Sequence, residues 1–485
     1  LVVGAVVCKL EPPRRAYRRA EARSTKSAWG APRDISPDPP RRVARSAPMA
    51  NGPTLPPGSL GLPFVGEALA FLDDPFTFQA SRAAQHGAVW KTRILGSNVV
   101  FFGGPKALTF FLDPANFTRE KGSPPHLQEL LGHDAVPFID GDVHRKRKRL
   151  LLAAFTKEAL AGYVSGLRAL VDRTLAGLPV DAEATLNPLV GQLAFDVANR
   201  LFAGAPPDHS DQAMAAEFSR VVQGAFAPPI NLPFTVYGKA LKSRDKLRAY
   251  IHEAVSTRDG EGTALAVLKA ARGPEGEALS ARELEMELLH FFFAAHAGIA
   301  GALAWLVVVL AQRPELTARV RVELEGLPPE PCYADLLGLR YLAAVCREVR
   351  RAYPIAPSTF FGVALRDLEF EGHSIPKGWK GVGALWPTLQ HADTFRDPAA
   401  FDPERLTDEA AGKLPENAYV PQGGGPPDGH RCPGESFVDL VLPLFVASLL
   451  RGRDLTLPEQ DLTPGAGGVG PLPRGGLRVR FTKRA

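Results

Sequence analysis

Apolar and polar side chains recur with helical periodicity through most of residues 143–326. Two amphipathic runs stand out, at residues 144–175 and 281–325, and a third occupies residues 333–353 before Pro354. Because proline cannot continue the hydrogen bonding of a helix interior, Pro354 predicts where the third run ends. The pattern therefore predicts several long helices packed around one interior.

Shorter stretches carry the signals of β-strands. Residues 89–104 predict two short strands around a Gly-Ser-Asn turn, and further short strands are predicted within residues 363–378 and 476–481. Many helices with a few strands indicate a mainly α fold with a minor β part. No internal repeat is visible, and we predict a single large domain over residues 49–485.

The most apolar segment runs from Leu288 to Ala311, where only His290 and His296 are polar. Its length would allow it to cross a membrane. However, acidic residues flank it on both sides, without the basic and aromatic borders of a membrane span. An apolar helix is equally expected at the centre of a large core, and we predict that position for this segment.

Composition separates the first 48 residues from the rest of the 485-residue chain. Residues 1–48 are rich in Arg and Pro and carry a net charge of +7, which leaves −2 for the remainder. Because the larger part is nearly neutral, the overall net charge of +5 is no argument for nucleic-acid binding, and we expect none.

Two interpretations of the leader, residues 1–48, remain open. It resembles an organelle transit peptide in composition, which would place the protein in a plastid or another organelle. Alternatively, it is a mis-assigned upstream segment, since the first methionine is Met49, and the protein is then cytoplasmic. The apolar stretch LVVGAVV is too short to span a bilayer, so we expect no transmembrane anchor there.

The four cysteines are widely separated, which argues against a disulfide scaffold and predicts a reducing compartment. They are Cys8, Cys332, Cys346 and Cys432. The last of them follows a loop rich in Gly and Pro and precedes an apolar helix. Its surroundings therefore predict a special chemical role.

The residues beside Cys432 predict an activated sulfur. Pro433 suits the first turn of a helix, which would place Cys432 at a helix N-terminus, where a thiolate is favoured. The sulfur could be a nucleophile with His430 as its base, a metal ligand, or only a helix cap. A zinc site would require more Cys or His nearby, whereas a single thiolate suits heme iron.

Two upstream motifs and the cysteine loop occur in a recognisable order. REVRRAYP (347–354) carries Glu348 and Arg351 one helical turn apart, and FRDPAAFDPERL (395–406) carries Arg405. With PQGGGPPDGHRCPGE (421–435), these segments resemble the ExxR, PERF-type and heme-binding motifs of the cytochrome P450 family. The resemblance covers nearly all of residues 55–483.

The resemblance implies the cytochrome P450 fold as a single heme-thiolate catalytic domain. It implies heme b, iron protoporphyrin, with the sulfur of Cys432 as the metal ligand. It also implies that Glu348, Arg351 and Arg405 form a buried charged triad that fixes the loop behind the heme.

The same resemblance implies partners for the heme propionates. DGDVHRKRKRL (140–150) is similar to the family's propionate-binding helix and implies that His144 and Lys148 face the heme, together with His430 of the cysteine loop. Where many members carry another propionate-binding Arg, this chain has Gly362. The other basic residues of the helix are predicted to lie on a solvated face: Arg145, Lys146, Arg147 and Arg149.

The catalytic positions of the central helix depart from the family pattern. Most members carry an acid followed by Thr for proton delivery, and Ala297 and Gly298 occupy those positions here. Neither can donate a proton. The neighbouring His296 could relay protons through water, although a core histidine with its own hydrogen bond is the simpler interpretation.

Two branches of the family share features with this chain. The cysteine loop has Gly425 and Asp428 where the common pattern has an aromatic residue and Gly, and this form resembles the bacterial fatty-acid peroxygenases. LPPGSLGLPFVGE (55–67) instead resembles the clan that oxidises sterols, retinoids and carotenoids. The substrate therefore stays open among lipophilic molecules such as isoprenoids, sterols and fatty acids.

Three functions are consistent with these residues. The first is a monooxygenase that receives electrons from a reductase or ferredoxin. The second is a peroxide-dependent peroxygenase or an enzyme that rearranges fatty-acid hydroperoxides. The third is a non-catalytic heme-binding protein. Phe291–Phe293, Ala294 and Phe360–Phe361 predict an apolar lining, hence a lipophilic small molecule, in each case.

Overall fold

The computed structural model describes residues 53–206, 208–464, 472–473 and 476–484, and for Ala297 it describes the backbone alone. The leader at residues 1–48, with both of its interpretations, lies outside the described residues. Within the described ranges the chain forms a mainly helical domain with a small β part, as the sequence predicted.

Seventeen α-helices are present in the described residues. In chain order they are α1 (Ala68–Asp73), α2 (Pro75–His86), α3 (Pro105–Leu112), α4 (Pro125–Leu131), α5 (Gly141–Leu152), α6 (Lys157–Ala176), α7 (Leu186–Phe202), α8 (Gln212–Ala225), α9 (Val236–Thr257), α10 (Ala264–Ala270), α11 (Ala281–Gln312), α12 (Pro314–Leu324), α13 (Tyr333–Leu337), α14 (Arg340–Ala352), α15 (Leu385–Leu389), α16 (Asp408–Ala411) and α17 (Glu435–Gly452).

Ten short strands form three sheets within the same residues. They are β1 (Val89–Ile94), β2 (Ser97–Gly103), β3 (Phe117–Thr118), β4 (Ala182–Thr185), β5 (Gly362–Ala364), β6 (Leu368–Phe370), β7 (His373–Ile375), β8 (Lys380–Ala384), β9 (Arg453–Thr456) and β10 (Arg478–Lys483). The largest sheet has the order β1-β2-β8-β5-β3, and the others are β4-β10-β9 and β6-β7. The predicted hairpin at residues 89–104 is confirmed by β1 and β2.

Helix α11 is the centre of the main hydrophobic core. It packs against α7, α9, α14 and α17. Among the described residues it is the one helix long and apolar enough to cross a membrane, yet 82% of its most apolar stretch is buried inside the protein. Its place is therefore the one predicted for an apolar core helix.

Three predicted helical runs are each divided in the structure. The first bends by 50° between α5 and α6, where the Thr156 hydroxyl accepts a hydrogen bond from the Ala159 N–H and caps the new helix. The second ends at Gln312 and restarts at Pro314, and the third is broken after Leu337. The periodic pattern of apolar residues in the sequence continues across each break because both helices of each pair bury an apolar face.

Candidate functional site

The loop before α17 is held in a fixed path toward Cys432. Gly423 and Gly425 have φ angles of 91° and 89°, which side chains other than glycine rarely adopt. The Gly425 N–H donates to Asn417 Oδ1 at 2.7 Å, and Asn417 Nδ2 donates to Thr109 Oγ1 at 2.8 Å. The glycine-rich segment is therefore anchored through Asn417 to α3, the helix that carries Thr109.

Cys432 lies slightly further from its helix than the sequence predicted. Helix α17 begins at Glu435 with Gly434 as its N-cap, so Cys432 precedes the cap by two residues. A β-carbon added at Gly434 would lie 3.8 Å from the sulfur, which reflects the close approach of this backbone. Burial raises the pKa of the Cys432 thiol, whereas the Gly434 N–H and the Lys148 ammonium lower it.

Helix α5 and the cysteine loop bring the predicted propionate partners together. The rings of His144 and His430 lie 4.2 Å apart between centroids, and His430 Nε2 is 2.7 Å from Asp140 Oδ1. Burial lowers the pKa of His144 to about 3 and also lowers that of His430, although Asp140 opposes the second effect. Both imidazoles are therefore mainly neutral at pH 7. Within the described chain, His144 Nε2 is buried without a hydrogen-bond partner.

Lys148 joins the same cluster from the next turn of α5. Its Nζ donates to the carbonyl oxygen of Arg431, directly before Cys432. Burial lowers the pKa of Lys148 to about 8, while Cys432 and Glu287 act in the opposite direction. An ammonium group thus lies close to the sulfur-bearing backbone.

One prediction about α5 was wrong. Arg147 does not lie on a solvated face: its side chain is 8% exposed and binds the carbonyl of Asp134 and the carboxylate of Glu283, the latter at 2.6 Å. The reason is the periodicity of α5, which turns every third or fourth residue toward α11. Arg145 and Lys146 form exposed ion pairs, as expected of a solvated face.

Arg119 is a buried cation that the sequence motifs did not indicate. Its guanidinium lies 4.6 Å from the centroid of the Phe111 ring, and its Nη1 donates to the carbonyl of Phe360. Burial lowers the pKa of Arg119 to about 10, and Asp140 partly compensates. Periodicity could not have identified it, because one Arg after a two-residue strand has no pattern of its own.

The three charged residues of the upstream motifs meet in the structure. Arg351 donates to both carboxylate oxygens of Glu348, at 2.7 and 2.8 Å, and Arg405 Nε lies 3.3 Å from Glu348 Oε1. The Asp402 N–H donates to Glu348 Oε1 at 3.0 Å, and Arg351 and Arg405 both donate to the Ala400 carbonyl. The predicted triad is thus a single network that joins α14 to residues 400–405.

The central part of α11 opens onto accessible space. Ala294 is exposed and His296 is half-buried, whereas residues 291–293 before them and 298–310 after them are buried. A β-carbon at Gly298 would meet only Ile355 Cδ1, at 3.6 Å. Gly298, one of the two positions assigned to proton delivery, therefore adjoins room for a ligand within a largely buried helix.

The side chains around this opening are mostly apolar. The His296 ring packs 5.2 Å from Phe218, and burial lowers its pKa to about 4. Phe292 contacts Phe195 and Phe218 in the core rather than lining an opening, which differs from the predicted lining. The half-buried Phe360 packs against Phe138 at 5.5 Å.

Comparison with known proteins assigns this arrangement to a family. The family model described as Cytochrome P450 matches residues 56–466. The chain belongs to the cytochrome P450 family. It is 34% identical over 443 residues to cytochrome P450 120 of Synechocystis, covering 89% of this chain and 97% of the relative.

Solved cytochrome P450 structures match the fold over most of the chain. Retinoic acid-bound cyanobacterial CYP120A1 superimposes with a TM-score of 0.81 at 33% identity, covering 89% of this chain and 100% of that one. CYP152B1 in complex with (R)-ibuprophen gives 0.72 at 26% identity, covering 85% and 98%. The cytochrome P450 fold and an oxygen-using oxidoreductase activity follow from family membership.

The family implies a heme cofactor, and the residues present suit one. A single cysteine approached by a backbone N–H offers a thiolate ligand. The unpartnered Nε2 of His144 and the ammonium of Lys148 offer hydrogen-bond donors for carboxylates nearby. The accessible stretch of α11 offers room beside an apolar surface.

Proposed function

We propose that this protein is a heme-thiolate monooxygenase that inserts oxygen into a lipophilic substrate, with heme b held through Cys432. Thiolate-ligated heme supplies the activation of oxygen. The observation that carries the proposal is Cys432 itself, fixed by the Gly434 N–H and accompanied by Lys148 in a loop anchored through Asn417.

The remaining site residues have supporting roles in this proposal. His144, His430 and Lys148 hold the heme propionates, since their donors converge at one end of the cysteine loop. Arg119 adds positive charge where the neighbouring strand has Gly362 in place of Arg. These groups would orient the cofactor, while the network around Glu348 keeps the loop in place.

Proton delivery must differ from the family's usual arrangement. Gly298 has no hydroxyl, and the sequence places Ala297 at the acid position. His296 is the titratable group nearest in sequence, and burial keeps it neutral at pH 7, so it can both accept and donate a hydrogen bond. We assign water-mediated proton transfer to His296, whose ring packs 5.2 Å from Phe218.

The proposed substrate is a lipophilic acid or a related isoprenoid. The accessible part of α11 carries small and apolar side chains, which favour hydrocarbon. Retinoic acid and ibuprophen, found in the two similar structures, are apolar carboxylic acids. Electrons would come from a separate reductase or ferredoxin.

A peroxide-driven reaction is the second candidate. It is favoured by Ala297 and Gly298, because a peroxide arrives already reduced and needs fewer protons than molecular oxygen. The form of the cysteine loop, which resembles that of the bacterial fatty-acid peroxygenases, agrees with this candidate.

Spectroscopy and turnover test these proposals in sequence. The reduced protein should give the carbon monoxide band of thiolate-ligated heme, and Cys432→Ser should lose it while Cys332→Ser, at an exposed cysteine, retains it. A nitrogen-type band in the wild type would refute the assignment of Cys432.

Turnover of lipophilic acids with NADPH and reductase supports the monooxygenase, and turnover with peroxide alone supports the second candidate. A heme band unaffected by any of these substrates would favour a non-catalytic heme protein.

A further inference from the structure

Helix α11 carries two ionisable side chains deep in the core that the proposed function does not use. The Glu287 side chain is fully buried, and that of His290, one turn later, is 10% exposed. Glu287 Oε2 and His290 Nδ1 lie 3.8 Å apart. Within the described part of the chain, neither atom has a hydrogen-bond partner. Because burying unpaired polar atoms is costly, packing alone does not account for this pair.

The pair lies on the side of α11 that leads to the ligand space beside Gly298. Five residues follow one another there at intervals of three or four positions: Glu283, Glu287, His290, Ala294 and Gly298. Side chains at this spacing share one face of a helix. His290 lies eight residues before Gly298, about 12 Å along the helix axis. The line begins near solvent, since 35% of the Glu283 side chain is exposed where it pairs with Arg147 at 2.6 Å.

The surroundings of the pair give each group the protonation state that a proton relay needs. Burial and the neighbouring Glu283 raise the pKa of Glu287 to about 8, although Arg147, whose Nη1 lies 3.5 Å from Glu287 Oε1, lowers it. Burial and Lys148 lower the pKa of His290 to about 4. At pH 7 the carboxyl group is therefore mainly protonated and can donate, whereas the imidazole is neutral and its Nδ1 can accept.

We propose that Glu287 and His290 form a proton relay that supplies the oxygen reaction at the heme, in place of the acid and Thr that are Ala297 and Gly298 here. This inference rests on the proposed function. A rotation that shortens the 3.8 Å separation by about 1 Å makes the hydrogen bond between them.

One proton enters the relay for each proton that leaves it. The Glu287 carboxyl group gives its proton to His290 Nδ1, and His290 Nε2 releases its own proton to water on the Gly298 side. The Glu287 carboxylate then regains a proton from solvent on the Glu283 side. Rotation of the imidazole ring restores the starting tautomer, so neither side chain carries a lasting charge.

The relay is separate from His296. Six residues lie between the positions of His290 and His296 along α11, which turns the second ring to a different side of the helix. There the His296 ring packs 5.2 Å from Phe218. The two histidines therefore approach the ligand space from different directions, and substitution of one leaves the other in place.

Glu287→Gln and His290→Phe test the relay in the heme-loaded enzyme. Each should lower oxygen-driven turnover on the order of 10²-fold, with electrons lost as released peroxide. Peroxide-driven turnover should stay near wild type, because peroxide arrives already reduced. The double variant should be no slower than the slower single variant, since members of one relay act as a unit.

Glu285→Gln provides the matched control. Glu285 lies on another side of α11 and is paired with His252 at 2.7 Å, so its loss should leave both kinds of turnover near wild type. Equal losses with oxygen and with peroxide would indicate only a structural role and overturn the inference, as would a double variant in which the two single losses multiply. If His290→Phe fails to retain heme, Glu287→Gln decides alone: slower oxygen turnover with unchanged peroxide turnover supports the relay, and any other result refutes it.

Infrared spectroscopy tests the pair without turnover. At pH 7 the wild type should show the C=O band of a buried carboxylic acid, which is absent from Glu287→Gln and shifted in His290→Phe. A missing or unshifted band would overturn the inference and leave the proposed function intact. Absence of the thiolate band with carbon monoxide, or of oxygen-driven turnover in the wild type, refutes the proposed function and this inference with it.

Discussion

The guanidinium of Arg351 binds both oxygens of the Glu348 carboxylate, and neither side chain is exposed to solvent. An arginine fork matched to a carboxylate in this way is among the strongest side-chain hydrogen-bond arrangements. Because Glu348 also accepts from the Asp402 N–H, loss of the carboxylate would leave several buried donors unpaired.

Glu348→Ala is therefore expected to destabilise the protein strongly. Removing one partner of a buried ion pair costs about 3–5 kcal/mol, and chemical denaturation should show a loss of this order together with weaker heme retention. The control is Glu409→Ala, which breaks an exposed ion pair with Lys413 and should cost under about 1 kcal/mol. Equal effects of the two substitutions would contradict a structural role for the triad.

Arg119→Met should weaken heme binding. Arg119 is a buried cation beside the Asp140–His430 pair, and a charged hydrogen bond to a propionate would be worth about 1.5–3 kcal/mol. Heme transfer to an acceptor apoprotein should therefore be roughly tenfold faster or more. Arg366→Met, at an exposed Arg that binds Asn116 Oδ1, should behave as wild type. Equal rates of heme transfer from Arg119→Met and from wild type would show that Arg119 does not hold the heme.

The combined change Ala297→Glu with Gly298→Thr should raise oxygen-driven turnover. A β-carbon at Gly298 would lie 3.6 Å from Ile355, an ordinary contact distance, so the β-carbon of the threonine fits at this position without a clash. A positioned proton donor contributes on the order of 10²–10⁴-fold to such steps. Peroxide-driven turnover is the internal control and should gain less. No increase with oxygen would show that proton delivery is not limiting.

The sequence predicted which residues belong to the site better than it predicted the contacts between them. The resemblance to the ExxR and PERF-type motifs of the cytochrome P450 family identified Glu348, Arg351 and Arg405. The contact between His144 and His430 agrees with the predicted convergence, although their partnership with Asp140 had no sequence signal. Such contacts depend on how α5 and the cysteine loop pack, which periodicity does not encode.

Helix existence was predictable from the sequence, but helix breaks and the depth of charged residues were not. The break at Pro314 was visible in the sequence, yet continuous periodicity outweighed it in the prediction. Arg147 was predicted to be solvated because it lies in a basic run, but its side chain faces α11 and pairs there with Glu283. Arg350 is also buried, with 3% of its side chain exposed, and the sequence did not predict this because the motif of the neighbouring Arg351 explained the segment without it.

Glu287 predicts a measurable pH dependence of stability. Burial raises the pKa of Glu287 to about 8, against the lowering effects of Arg147 and the Val136 N–H. A carboxyl group whose pKa is raised on folding keeps a proton that the unfolded chain releases, so unfolding becomes easier as pH rises toward 8. Burial lowers the pKa of the neighbouring His290 to about 4, so its opposite contribution ends near its ordinary value of 6.5.

The free energy of unfolding of Glu287→Gln, relative to wild type, should accordingly increase between pH 6.5 and 8, by roughly 1.5 kcal/mol. The amide still accepts the hydrogen bond from the Val136 N–H, which lies 2.9 Å from Oε1, but cannot titrate. Urea unfolding of both proteins at several pH values measures the difference, and contributions from all unchanged groups cancel. Glu409→Gln, at an exposed carboxylate paired with Lys413 on the surface, is the control and should not reproduce this increase. A constant difference between Glu287→Gln and wild type over this range would mean that Glu287 is already ionised in the folded protein, held by Arg147 despite its burial.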